Sequence, residues 1–304
     1  MIGADMPATF TGIALNLVAL VFFVTMDTTG KLLVAHYPVG QVVFVRFVFH
    51  VLFVALAIRV LTGSLPWRSR APWLQLLRSI CLLAGSLFFV GALAFIPLAD
   101  ATAVGFASPL LTVILAAVWL RETVDWRRWL GVGIGLLGVL VALRPPFLTG
   151  GDMPHWAMLL PLCNAGLFSV YQILTRRLAM IDDPRTTILH TGVAGALLLA
   201  LAQPFIWQWP GAAGPIPAGW VWLGLVSLGA LGAAGHGLLV LAFTRLPASL
   251  LAPVMYSQLL WALIASAVVF GQRPDGITLS GAAIIACGGL LVAWPARRKG
   301  GRAP

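Results

Sequence analysis

VWLRETVDWRRWLGVGIGLLGVLVA, residues 118–142, is echoed by VVFGQRPDGITLSGAAIIACGGLLVA, residues 268–293. At an offset of 150, Glu122 meets Gln272, Asp125 meets Asp275, Gly131 meets Gly281 and Gly138 meets Gly288. Upstream, Ala94-Phe95 meets Ala242-Phe243 at an offset of 148, so a two-residue indel lies between. Lys31 meets Arg176 at 145. Each match is weak alone. Together they describe a unit used twice.

Composition says what that unit is made of. The chain has 304 residues, 60% of them hydrophobic and only 9% charged. A soluble domain carries about 25% charged residues, too many for this chain to match. Apolar runs near the ~20 residues that cross a bilayer core as helix recur throughout. They do not alternate polar with apolar, which excludes a transmembrane β-barrel. The reading is an all-α polytopic membrane protein. Gly, Pro and charge punctuation predicts ten spans near 10–33, 40–60, 72–96, 99–119, 127–143, 155–177, 185–206, 218–243, 247–270 and 275–294.

Five spans per unit is an odd number, so the second copy must enter the membrane from the opposite side. The expected architecture is two inverted five-helix repeats, 1–145 and 146–304, around a central cavity. Inverted repeats with a midplane site are the mark of secondary transporters. The net charge of +10 fits the basic excess of cytoplasmic loops and calls for no nucleic acid. With the N-terminus inside, Lys and Arg gather at the cytoplasmic ends, leaving only Lys31, Arg144 and Arg273 at the outer ends. Both termini are therefore expected in the cytoplasm. WQWPGAAGPIPAG (207–219) is uncharged and carries Trp207 and Trp209, as an outer interfacial belt would. The N-terminus has no basic region of a cleaved signal peptide.

The chain resembles the drug/metabolite transporter superfamily in its ten-helix EamA-type form. The resemblance rests on PLLTVILAAVWLRETVDWRRWLGVGIGLLGVLV (109–141), its weaker copy, and APVMYSQLLWA (252–262). Gln272 departs from the Glu often found there in the family. The last stretch is similar to the branch containing bacterial amino-acid exporters, including the aromatic amino-acid exporter. The resemblance implies a basket of helices with a central cavity, peripheral helices 5 and 10, and alternating access.

Polar residues inside apolar runs are the candidate functional groups. Arg46, within VVFVRFVFHVLFV (42–54), and Asp27 each lie about six residues from the same hairpin, roughly 9 Å deep. Equal depth predicts an Asp27–Arg46 pair, with Lys31 at i+4 sharing Asp27. That pair reads either as a static clasp between helices or as an outer gate meeting a substrate carboxylate. His50 reads as a hydrogen-bonded core histidine.

At the midplane, Ser108-Pro109 and Tyr256-Ser257-Gln258 are counterparts at offset 150. Pro109 removes a backbone donor and is expected to kink its span toward a cavity. The substrate-binding candidates are Gln258, Tyr256, Ser108, Tyr171, Asn164, Trp261, Phe88 and His236. Each has a plain alternative in helix packing or an interhelical hydrogen bond. The small-residue run GALGAAGHG (229–237) predicts close helix approach.

If Arg46 holds Asp27, no span carries a free acid, and transport is expected to be uncoupled or weakly coupled. The alternative is an exporter of another organic solute or drug, with proton coupling through Asp27. GIGLLG (133–138) matches a dinucleotide pattern but lies inside an apolar span and reads as helix packing. Asp182-Asp183 reads as a solvated turn and helix start. Cys81, Cys163 and Cys287 are far apart and read as core residues. No metal set, cofactor motif or catalytic cluster is present, which argues against an integral membrane enzyme acting on lipid. The expectation is a monomeric bacterial inner-membrane transporter whose partners are the bilayer and a small-molecule substrate. It exports small metabolites, most of all amino acids and aromatic ones among them.

Overall fold

The structure, a computed structural model, describes residues 6–122, 124–143, 155–212, 215–271 and 276–293. Arg144, Asp152, Gln272, Arg273, the 145/146 boundary and the tail from 294 lie outside them. The described residues form helices and turns with no strand. In order they are α1 (Met6–Val34), α2 (Val39–Thr62), α3 (Pro72–Leu93), α4 (Leu98–Gly105), α5 (Ala107–Trp119), α6 (Trp126–Leu143) and α7 (His155–Leu178). After them come α8 (Pro184–His190), α9 (Val193–Ala200), α10 (Gln203–Ile206), α11 (Ala218–Arg245), α12 (Ala248–Val254), α13 (Gln258–Phe270) and α14 (Gly276–Ala293). Among the described residues, seven stretches are long and apolar enough to cross a membrane: 9–34, 39–62, 72–93, 98–119, 156–178, 218–245 and 248–270.

Local chemistry sets the ends. Pro38 precedes α2, and Gly63 closes it in the left-handed region at φ 73, donating to the Arg59 carbonyl. Pro72 opens α3. Asp183 caps α8, its carboxylate accepting from the Arg185 amide, with Pro184 in the first turn. The stretch 98–119 is two helices rather than one. A proline ring clashes with the carbonyl four residues earlier, and the break at Phe106 falls just after Gly105, four residues before Pro109. The stretch 248–270 is likewise interrupted, by a 3-10 turn at Met255–Ser257.

Segment 184–206 is three short helices rather than one continuous helix. Ser79 heals its first break. The hydroxyl donates to the Thr191 carbonyl at 3.1 Å and accepts from the Ala194 amide at 3.2 Å. Asp182, just upstream, is buried rather than solvated, because three donors surround its carboxylate. The Arg70 amide donates at 2.8 Å, Gln75 Nε2 at 2.9 Å, and the Ser69 hydroxyl completes the set. Partial burial works against the charge, but these hydrogen bonds outweigh it and hold the Asp182 carboxyl below its ordinary value. A depressed carboxyl stabilises the fold above the unfolded value and loses that contribution as pH falls through the folded one. Asp182→Asn is therefore expected to lower the melting temperature at pH 7. The gap to wild type should close as pH is lowered below about 4, read by thermal denaturation in detergent.

The most extensive packing joins α6 to α14, α1 to α11, and α3 to α7. The α1–α11 pair is antiparallel: Gly12 lies against Leu246, and Leu33 against Gly224. So is α3–α7, where Phe95 meets Trp156 and Arg78 meets Tyr171 and Thr175. Without a hydrophobic driving force between helices in lipid, small residues permit close approach. The 229–237 run behaves this way. Gly229 lies against the α2 backbone at Phe49 and His50, and Gly235 against Phe23. Gly135, inside GIGLLG, abuts Gly288 and Tyr256. The main core lies between α1, α2, α3, α7 and α11, with Leu20, Phe47, Ile173, Leu225 and Phe243 fully buried. Leu56, Leu137, Leu197, Leu223 and Val268 face outward, as lipid-facing positions do. Cys81 is buried as expected, whereas Cys163 and Cys287 face outward.

Candidate functional site

A cavity of about 100 Å³ lies among these helices. Its wall takes Phe23, Met26 and Asp27 from α1, Arg46 from α2, and Leu82, Ser86, Phe89 and Val90 from α3. The broken fourth stretch supplies Thr102, Gly105, Phe106, Ser108 and Pro109. Asn164 and Phe168 come from α7, His236 from α11, Met255 from the 3-10 turn and Gln258 from α13. The breaks at Phe106 and at Met255–Ser257 both reach the cavity, so irregular backbone occurs where it lines a hollow.

Two opposite charges face this space without touching. Among the described residues no ion pair within 4.0 Å joins Asp27 to Arg46. Arg46 Nη2 instead donates to the Ser86 hydroxyl at 2.7 Å, and its guanidinium lies 4.9 Å from the Phe47 ring centre. The direct clasp expected from equal depth is therefore not formed. Depth alone left open which way each helix was turned, and Ser86 on α3 offered the nearer acceptor. Both charged groups also border a second, smaller void with Gly30, Val42 and Leu228.

Lys31 does not share Asp27 either. It donates to the carbonyls of Leu93 and Ile96 at 3.0 and 2.7 Å. The end of a helix leaves carbonyls without intrahelical partners, and a cation satisfies them.

The other candidates divide. Gln258, Ser108, Asn164 and His236 line the cavity. Ser108 is held by Ser169 at 3.1 Å and by Gln172 Nε2 at 3.3 Å. His236 is anchored by the Tyr171 hydroxyl, 3.0 Å from Nδ1. Tyr171 itself lies behind the wall, buried, and also accepts from Arg78 Nη1 at 3.3 Å. Tyr256 is buried against Phe106 and Gly135, its hydroxyl without a partner. Trp261 and Phe88 face outward, 40% and 36% exposed. Phe89, one residue on and about 100° around the helix, is the ring that meets the cavity. His50 is buried beside His236, ring centres 5.9 Å apart, and its Nε2 has no hydrogen-bond partner among the described residues.

Sequence reasoning placed Phe89 beside Phe88 on helix 3 at the midplane but missed the rest of the aromatic wall, Phe23, Phe106 and Phe168. Helical spacing carried a signal: Phe23–Asp27, Asn164–Phe168 and Leu82–Ser86 are i, i+4 pairs, each placing both members on one face. It also counted Arg78 among the charges at a helix end. Arg78 is fully buried, bonded to Tyr171, Thr175, Thr191 and the Thr187 carbonyl.

This arrangement can hold a small solute with an apolar or aromatic body and charged ends. Among the described residues no group of three His, Cys, Asp or Glu could hold a metal. An S-adenosylmethionine uptake transporter of Rickettsia felis is 27% identical over 95% of this chain and 94% of its own length. A riboflavin transporter of Vibrio cholerae is 30% identical over 69% of this chain and 68% of its own. Neither is an amino-acid exporter. A solved crystal structure superposes with a TM-score of 0.72 at 23% identity, over 95% of this chain and 96% of that one, and so shares the fold. The family model of EamA-like transporters matches residues 10–144 and again 155–294. With nearly the whole chain covered, this protein is a membrane transporter belonging to the EamA-like transporter family.

Proposed function

We propose that the protein moves a flat aromatic solute with a zwitterionic amino-acid head across the bacterial plasma membrane by alternating access. The cavity carries this reading: Asp27 and Arg46 face it unpaired with each other, beside four phenylalanines. Arg46 takes the carboxylate, Asp27 the ammonium, and Gln258 either end, while the rings stack on the flat body. The relatives named for S-adenosylmethionine and riboflavin carry ring systems with polar appendages. An aromatic amino acid shares a ring and, with the first of them, the amino-acid head. The solute gradient sets the direction, and one chain suffices because one chain surrounds the cavity.

The proposed frame is ten spans in two inverted halves, 1–145 and 146–304, with both termini in the cytoplasm. Three observations support it. The family model matches twice, once per half. The packing exchanges partners as an inverted duplication requires: helix 1 of the first half meets helix 3 of the second (α1–α11), and helix 3 of the first meets helix 1 of the second (α3–α7). Phe106 and Tyr256, counterparts at offset 150, sit at equivalent breaks and pack on each other at 5.5 Å.

A second reading concerns energy. Uncoupled transport was expected because Arg46 would hold Asp27. Without that contact, Asp27 is a buried acid facing the cavity and can carry a proton with the solute.

Purified protein in liposomes tests both readings. Tryptophan, S-adenosylmethionine and riboflavin should be screened for flux without chemical change. Flux of at least one, lowered several-fold by Gln258→Ala at unchanged melting temperature, is the expected result. Flux no faster than in empty liposomes for all three would sink the substrate class. Uphill accumulation under a pH gradient, lost in Asp27→Asn, would establish the coupled form.

A further inference from the structure

Two basic side chains outside the cavity repeat each other's bonding at opposite ends of the bundle. Lys31 lies in the last turn of α1. It donates to the Leu93 and Ile96 carbonyls, at the corner between the third and fourth helical stretches of its own half. Its ammonium also lies 5.8 Å from the ring centre of Phe270, the last residue of α13 and the end of the fourth stretch of the other half.

Arg176, its counterpart at offset 145, lies in the last turn of α7. Its Nη1 donates at 2.7 Å to the carbonyl of Phe243, the counterpart of Phe95 at the same corner of the second half. Its Nε lies 3.5 Å from Glu122, just past the end of the fourth stretch of the first half. Glu122 in turn accepts from the Ala248 and Ser249 amides at 3.3 and 3.1 Å, holding the start of α12. Each latch thus ties the first helix of one half to the next corner of that half and to the far end of the other half's fourth stretch. The antiparallel α1–α11 packing puts them at opposite ends, since Leu33 lies by Gly224 while Leu246 lies by Gly12.

We propose that Lys31 and Arg176 are the two gate latches of the transport cycle, released one at a time. Releasing the Lys31 latch frees α1 from the corner before α4 and opens the cavity to that end. Releasing the Arg176–Glu122 latch opens it to the other. Both are closed in this structure. Each cation has a carbonyl and a carboxylate: Lys31 interacts electrostatically with Asp100 in the first turn of α4, and Arg176 with Glu122. Because the two latches sit at opposite ends, matched removal should have opposite signs. This inference rests on the alternating-access reading.

The test needs no substrate. In a variant with Cys81, Cys163 and Cys287 replaced by serine, Thr102→Cys puts a reporter thiol in the cavity wall. A membrane-impermeant maleimide is then applied to right-side-out and to inverted vesicles. Lys31→Gln should speed labelling from the end nearest residues 34–39 by about fivefold or more and slow it from the other end. Arg176→Gln should do the reverse; Glu122→Gln should follow Arg176→Gln and Asp100→Asn should follow Lys31→Gln, which covers a failure of either cation variant to fold. A merely structural role would loosen the bundle and speed labelling from both ends. Shifts of the same sign, or none in the variants that fold, would overturn the proposal. Opposite shifts in a protein that carries none of the three solutes would keep the latches and discard only the substrate class.

Discussion

Arg46→Gln is expected to cut the flux of a carboxylate-bearing aromatic solute such as tryptophan by roughly 10–100-fold, the worth of a charged hydrogen bond of about 1.5–3 kcal/mol. The expectation follows from where the guanidinium is and what it lacks. It is 5% exposed within an apolar helix, and among the described residues its hydrogen-bonded side-chain partner is the neutral Ser86 hydroxyl. A planar fork with donors to spare, facing a cavity, suits a carboxylate. Glutamine keeps a donor for Ser86 but cannot form the charged, bidentate contact. A cation buried without an ion-pair partner is itself costly, so its removal should leave the melting temperature unchanged or raise it. The control is tryptamine, which lacks the carboxylate. Its flux should change by less than about threefold, well short of the loss a charged contact would cause. Equal losses for both solutes would assign Arg46 a structural role in holding Ser86 rather than a role in binding the carboxylate.

Gly229→Ala should destabilise the protein by on the order of 3 kcal/mol. A Cβ there would collide with the Phe49 Cβ and lie 2.8 Å from the Phe49 carbonyl carbon and 2.9 Å from the His50 nitrogen. Two of those atoms are backbone, so no rotamer change relieves the clash, and α2 must separate from α11. The separation would also disturb the α2 face that carries Arg46. Gly166→Ala is the matched comparison. Nothing lies within 4 Å of its added Cβ, and alanine favours a helix interior by up to about 1 kcal/mol over glycine. Thermal denaturation in detergent should show a lower midpoint for Gly229→Ala and an equal or higher one for Gly166→Ala. A wild-type midpoint in Gly229→Ala would mean that the two helices do not meet there.

Much of the fold was legible because its signals are local. The apolar runs announced the helices within a few residues: 155–177 was expected against the observed His155–Leu178, and 218–243 against Ala218–Arg245. Pro109 announced the break at Phe106, and the 229–237 glycines announced close packing. The cavity was half legible. Ser108, Asn164, His236 and Gln258 stood out as polar groups at mid-span and do face it. Phe23, Phe106 and Phe168 did not stand out, because a phenylalanine in an apolar run looks the same whether it meets lipid, core or cavity.

What the sequence determined by itself is therefore the helical, membrane-spanning character and two stretches that each match one family model. Hydropathy, proline, glycine and repeated spacing need no partner to be read. Only the tertiary structure decided which side chains meet. It turned Arg46 to Ser86 instead of Asp27, Lys31 to carbonyls at the end of α3, and Phe89 rather than Phe88 to the cavity. One residue along a helix is about 100° around it. That rotation is set by how closely each helix is let against its neighbours, at contacts such as Gly229 on Phe49, which are remote in the chain.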